Sequence, residues 1–206
     1  MPNFRLIEWS NNVNNSVKKT LAALFLSSAM ATTAGVAQAA EYKFDIAHTQ
    51  IFFKVSHMGF STSTGQFIDF DGSFDFDEKD FAKSSVDVTI QVDSLDLSNH
   101  EKWNEHVTGK DFFDAASYPT ITFKSKSVEK TGDKTFAVTG DLTIKGKTKP
   151  AVLDVTFNKA GEAFGKEKAG FSATTTITRT DFGVDAYAPA VGVEIPITIE
   201  VEGEKI

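Results

Sequence analysis

Apolar and polar residues alternate with period two along most of the chain beyond residue 40. "SVDVTIQVD" puts Val86, Val88, Ile90 and Val92 on one face and Asp87, Thr89, Gln91 and Asp93 on the other. "DFDGSFDFD" opposes Phe70, Phe74 and Phe76 to Asp69, Asp71, Asp75 and Asp77. "EIPITIEVE" sets Ile195, Ile197, Ile199 and Val201 against Thr198, Glu200 and Glu202. Alternation of this kind marks strands with one wet and one buried face. Further strands are expected near 42–46, 120–128, 135–144, 151–158 and 169–179. Turns are expected at Thr131-Gly132-Asp133, Lys145-Gly146-Lys147 and Ala160-Gly161-Glu162. About eight such strands make an all-β fold, an antiparallel sheet closed into a barrel or folded into a two-sheet sandwich. Pro196 cannot donate to a ladder, so the last strand is expected to start late or bulge there.

One segment departs from the alternation. "LSNHEKWNEHVTGKDFFDAASYP" has Ser98 three residues before Glu101, the spacing of a capping box, and Gly109 as a stop. A short helix over about 99–108 follows, placed to cap one end of a barrel.

The N-terminal part has a different pattern. Lys18 and Lys19 precede the apolar run "LAALFLSSAMATTAGVA", which ends in "AQA". This reads as a secretory signal peptide over 1–39, cleaved after Ala39 and preceded by a long Asn-rich stretch. It implies a periplasmic or secreted domain over 40–206, with no stable membrane insertion. Cysteine is absent, which excludes thiol catalysis and Cys-bound metals. The chain carries a net charge of −7. The leader holds more basic than acidic residues, so the remainder is more acidic still, a poor partner for nucleic acid or anionic lipid.

Composition offers little catalytic chemistry. There is no G-x-S-x-G and no glycine-rich phosphate loop. The carboxylates at 69, 71, 75 and 77 fall on a wet face. His100 and His106 are separated by about 240° around a helix, so they do not form a zinc pair. No metal, cofactor or catalytic residue is expected, and the protein reads as a non-enzyme.

The apolar interior is the stronger signal. By parity the inward set includes Phe53, Val55, Phe70, Phe74, Val88, Ile90, Phe123, Leu142, Phe171 and Ile177. Phe60 and Phe67 flank "STSTGQ", read as a turn at a rim, with Met58 beside them. An eight-stranded barrel is just wide enough to fill with side chains or to hold one slender ligand. Two polar residues share the inward parity at strand ends. His57 is either a hydrogen-bonded structural group or a ligand handle near a mouth. Arg179, the only arginine after residue 39, either contacts a ligand head or pairs with Asp181 or another nearby acid. These fifteen positions are the candidate ligand-binding set. Three functions fit them: a carrier of a long apolar ligand, a solid-cored interaction protein acting under stress, and a lipid hydrolase or isomerase using His57. The last is the weakest.

The motifs "HTQIFFKVSHMGFSTSTGQF", "KDFFDAASYPTITFKS", "GDLTIKGKTKPAVLDVTF" and "AGFSATTTITRTDFGV" resemble, in order and over nearly all of 40–206, the YceI-like family of secreted, lipocalin-like proteins. His48, His57-Met58-Gly59, Asp111 to Asp114, Tyr118-Pro119 and Arg179 to Gly183 match family elements. Trp103 stands in a helix where the family often has Arg or Asp. The resemblance implies an extended antiparallel barrel of about eight strands with one short helix near one end. It also implies a tunnel for a polyisoprenoid, an isoprenoid quinone or a fatty-acid derivative, without catalysis. A homodimer is possible.

Overall fold

The structure, a computed structural model, describes residues 39–206, so the expected leader lies outside it apart from its last residue. Eleven strands form one antiparallel sheet: β1 (Ala40–Phe44), β2 (Gln50–His57), β3 (Ser61–Phe67), β4 (Phe70–Phe76), β5 (Ser85–Gln91), β6 (Leu95–Asp96), β7 (Thr120–Lys130), β8 (Thr135–Ile144), β9 (Lys147–Ala163), β10 (Lys166–Thr178) and β11 (Glu194–Lys205). Three interruptions reduce them to eight staves. β1 and β2 run along one edge of β11, with Tyr42 opposite Lys205 and Ile51 opposite Ile199. β4 and β3 pair with them in turn, and β5 and β6 with β4 and β3. Each stave then pairs with its neighbour in sequence, and β11 closes on β1 and β2. The result is an up-and-down barrel that leaves few free edges.

The first interruption is repaired by side chains. Residues 45–49 leave the ladder, and the Thr49 hydroxyl takes their place, donating to the Glu202 carbonyl at 3.2 Å and accepting from the Glu202 N–H at 3.3 Å. The barrel has two unlike ends. The helix end carries the β2–β3 turn, α1 (Glu101–Thr108), the Lys145-Gly146 turn and residues 179–193. The other end carries Ala40, Lys205 and the turns at 77–84, 131–134 and 164–165.

Large rings fit a narrow barrel because glycines lie beneath them. A Cβ on Gly140 would fall 2.6 Å from the Phe123 ring, and Gly65 and Gly203 sit as close under Phe53 and Phe74. Rings fill the end that holds Ala40: Tyr42 stacks on Phe74 with centroids 5.0 Å apart, and Phe76 lies 5.1 Å from Phe171 and 5.2 Å from Phe157.

Four local expectations are corrected. "STSTGQF" is strand β3 and not a turn; the chain reverses at Met58 and Gly59, both at positive φ, so hydroxyl-rich residues extend beside β2. The 160–162 turn moves to Phe164-Gly165, because β9 stays paired with β10 through Ala163. Pro196 lies in register opposite Thr176 without a bulge, one residue outside the β2 pairing that begins at Ile197. Helix α1 is not entered through a Ser98 box. Ser98 and Asn99 have positive φ, the N-cap is His100, and Asp96 Oδ1 accepts from the Asn99 N–H at 2.7 Å.

Candidate functional site

Inside the barrel is a cavity of about 260 Å³. Every stave contributes to its wall, because inward residues come at every second position of each strand. The middle and helix end mix aliphatic residues such as Val88, Ile90, Ile121, Leu142 and Ile177 with Phe53, Phe67, Phe113 and Phe123, and the opposite end is rich in rings, with Phe74, Phe76, Phe136 and Phe171. Almost none of the wall is polar. No buried side-chain nitrogen or oxygen among the described residues lacks a hydrogen-bond partner. A cavity of about 150 Å³ with such a lining stays dry and takes apolar guests.

Of the sequence-predicted residues, Phe53, Phe67, Phe74, Val88, Ile90, Phe123, Leu142, Phe171, Ile177 and Arg179 line this space. Val55, His57, Met58, Phe60 and Phe70 do not. Phe70 is 5% exposed but belongs to the packed core beside the cavity. The other four share one cause. β11 pairs with β2 only over Gln50–Phe53, so the rest of β2 projects beyond the barrel with β3. There parity no longer separates inside from outside. Phe60 at the tip is 88% exposed and Met58 53%. His57 is exposed and forms a bridge with Val191, and the Met58 N–H donates to the Ala190 carbonyl at 2.8 Å. The histidine expected at a mouth is therefore at the helix end, but on the β2–β3 hairpin and outside the cavity lining.

Arg179 is placed as expected but differently employed. Its side chain is buried, and it donates to three backbone carbonyls: Gly192 through Nε at 2.8 Å, Val191 through Nη2 at 2.8 Å, and Val184 through Nη1. Asp181 is not its partner. Burial pushes the guanidinium below its ordinary range, and Asp185 partly offsets this. With Phe182 and Val184, both 3% exposed, it closes the helix end of the cavity.

Several lining residues were not among the candidates. Phe81, Phe113, Phe182 and Val184 sit on connections, where no periodicity marks them. Leu153, Val155, Ile195 and Val201 alternate in their strands and were legible by the rule that found Val88 and Ile90. One group resembles a metal site: ligand atoms of Asp45, His48 and Glu202 lie within 4.8 Å of one another. A cation from the chain already occupies it. Lys168 Nζ lies 2.8 Å from Asp45, 3.5 Å from Glu202 and 3.4 Å from Glu204. The Lys168 hydrogen bond holds the Asp45 carboxyl at about 2, and Asp45 in turn raises Lys168 to about 12.

Residues 42–203 match the family model described as the YceI-like domain. A UPF0312 protein of Pseudomonas putida is 44% identical over 92% of this chain and 98% of its own. The crystal structure of Burkholderia cenocepacia BcnA superposes with a TM-score of 0.71 at 30% identity, covering 77% of this chain and 98% of that one. A polyisoprenoid binding domain from Saccharophagus degradans, implicated in plant cell wall breakdown, shares the fold with a TM-score of 0.62 at 15% identity, over 82% of this chain and 100% of that one.

Proposed function

Because the chain belongs to the YceI-like family, we propose that it is a non-enzymatic periplasmic protein that carries or sequesters a long apolar molecule inside its barrel. The observation that carries this reading is the cavity: a wall of aliphatic and aromatic side chains with almost no polar surface. Such a space rewards hydrocarbon, at about 0.8 kcal/mol per buried CH₂, and penalises a polar group that finds no partner. A polyisoprenoid, an isoprenoid quinone or a fatty-acid derivative each offers such a chain. The binding named for the Saccharophagus domain is consistent with the first. The Ser85 hydroxyl donates to the Asp75 carboxylate at 2.8 Å at the edge of the cavity, no histidine lines it, and its one cationic side chain, Arg179, is engaged with three carbonyls. No described helix is long and apolar enough to cross a membrane.

Native mass spectrometry of protein purified without detergent, followed by organic extraction, tests the reading. A species carrying extra mass that is extracted as a long-chain lipid is expected, and protein that is always empty contradicts it. Cell fractionation with N-terminal sequencing tests the location. A mature chain starting at Ala40 in the periplasmic fraction is expected, and an uncleaved cytoplasmic chain is the contrary result.

A further inference from the structure

The barrel wall has one seam that is not closed by strand pairing. β5 pairs with β7 only from Asp87 opposite Lys124 to Gln91 opposite Thr120. Below that, the Val86 N–H is bonded to the Ser125 hydroxyl at 2.8 Å, and β7 carries an irregularity between Ser125 and Ser127. The rest of β7 pairs only with β8. The turn at 77–84 packs over this edge in place of a strand. Of all the residues lining the cavity, Ser85 alone is exposed, and it stands at this seam opposite Asp75.

The polar contacts of the turn are internal. Asp77, 7% exposed, accepts from the Lys79 and Asp80 N–H groups at 2.9 and 3.0 Å, and its own N–H donates to the Ser84 hydroxyl at 3.2 Å. The Lys83 and Ser84 N–H groups bond to Asp80 and Phe81, and Lys83 pairs with Asp80. Among the described residues, no hydrogen bond joins positions 78–84 to the strands across the seam. Packing holds the turn there. The half-buried Phe81 ring sits 4.2 Å from Phe136 and 5.6 Å from Phe76. Such a unit can move without breaking a ladder, whereas the helix end is tied by three bonds from Arg179.

We infer that the β5–β7 seam under Phe81 is the portal of the barrel: a hydrocarbon tail enters there first, and a polar head stays outside beside Ser85 and Asp75. The inference rests on the carrier reading. It assigns Phe81 the role of access residue, controlling the rate of exchange more than affinity. The almost apolar wall gives a head no partner inside, and Ser84, Ser85 and Asp75 are the polar lining residues at the seam, the Ser85 hydroxyl donating to Asp75 at 2.8 Å.

The test is stopped-flow exchange of N-phenyl-1-naphthylamine, a neutral apolar fluorophore, into and out of delipidated full-length mature protein. Phe81→Ala and the milder Phe81→Leu are expected to raise both association and dissociation rates, the former by about tenfold, with equilibrium affinity changing far less. Phe81→Trp slows both. Tyr187→Ala, which loosens the helix end outside the cavity wall, leaves the rates near those of the parent. Unchanged rates in both Phe81→Ala and Phe81→Leu, or an equal acceleration in Tyr187→Ala, overturn the portal. A parent protein that shows no equilibrium fluorescence change overturns the carrier reading itself, a result distinct from any change in rate.

Discussion

Arg179 shows how one residue can be chosen rightly for place and wrongly for purpose. Inward parity and the rarity of arginine marked it as either a ligand handle or the partner of a nearby acid, yet its guanidinium satisfies the carbonyls of Val184, Val191 and Gly192. Arg179→Leu leaves those carbonyls without the cation, and urea unfolding is expected to show a loss of about 3 kcal/mol or more, with Arg179→Lys recovering only part of it. His57 and Phe60 lie on the projecting hairpin, so His57→Ala and Phe60→Ser are expected to leave fluorophore affinity unchanged in equilibrium titration. A marked loss in either would return the hairpin to the site. Asp45 carries a pH signature. Its carboxyl is lowered from 3.8 to about 2 by Lys168, so its contribution to stability is present above 3.8 and is lost as pH falls toward 2. Asp45→Asn is expected to flatten the dependence of stability on pH across that interval, as read from unfolding curves at successive pH values.

Among the elements, the glycine-and-ring pairs set the width of the barrel. Gly140 accepts the Phe123 ring where a Cβ would also meet the Lys124 carbonyl at 2.5 Å. Gly140→Val is therefore expected to cost about 1–3 kcal/mol by forcing the ring aside, measured by thermal or urea unfolding. The strands themselves were legible because their alternation was strong: β8 was expected over 135–144 and is found over Thr135–Ile144. The closed barrel was not separable from a sandwich by periodicity, since both need one wet and one buried face. Resemblance to a family supplied the distinction. The departures occur where a strand leaves its neighbours. Beyond Phe53 the buried parity of β2 stops meaning inside, and Phe81 and Phe182 reach the cavity from turns that have no period. Asp77 is a further case: the alternation placed it on the wet face, but at the strand's end it turns in to hold the 77–84 turn.

For the whole molecule, carriage of a lipid depends on the space inside the barrel being available to a guest. The end that holds Ala40 is packed ring against ring, and the helix end is closed by Arg179, Phe182 and Val184, so the guest lies between them. Ala173 faces that space from β10 and is 7% exposed. Ala173→Phe would put a ring into the void without removing a hydrogen bond. The most direct measurement is native mass spectrometry of the parent and of Ala173→Phe, purified side by side without detergent. A lipid bound to the parent and absent or much reduced on the folded variant is the result expected of a carrier. An empty parent, or the same lipid retained equally by both proteins, would contradict it.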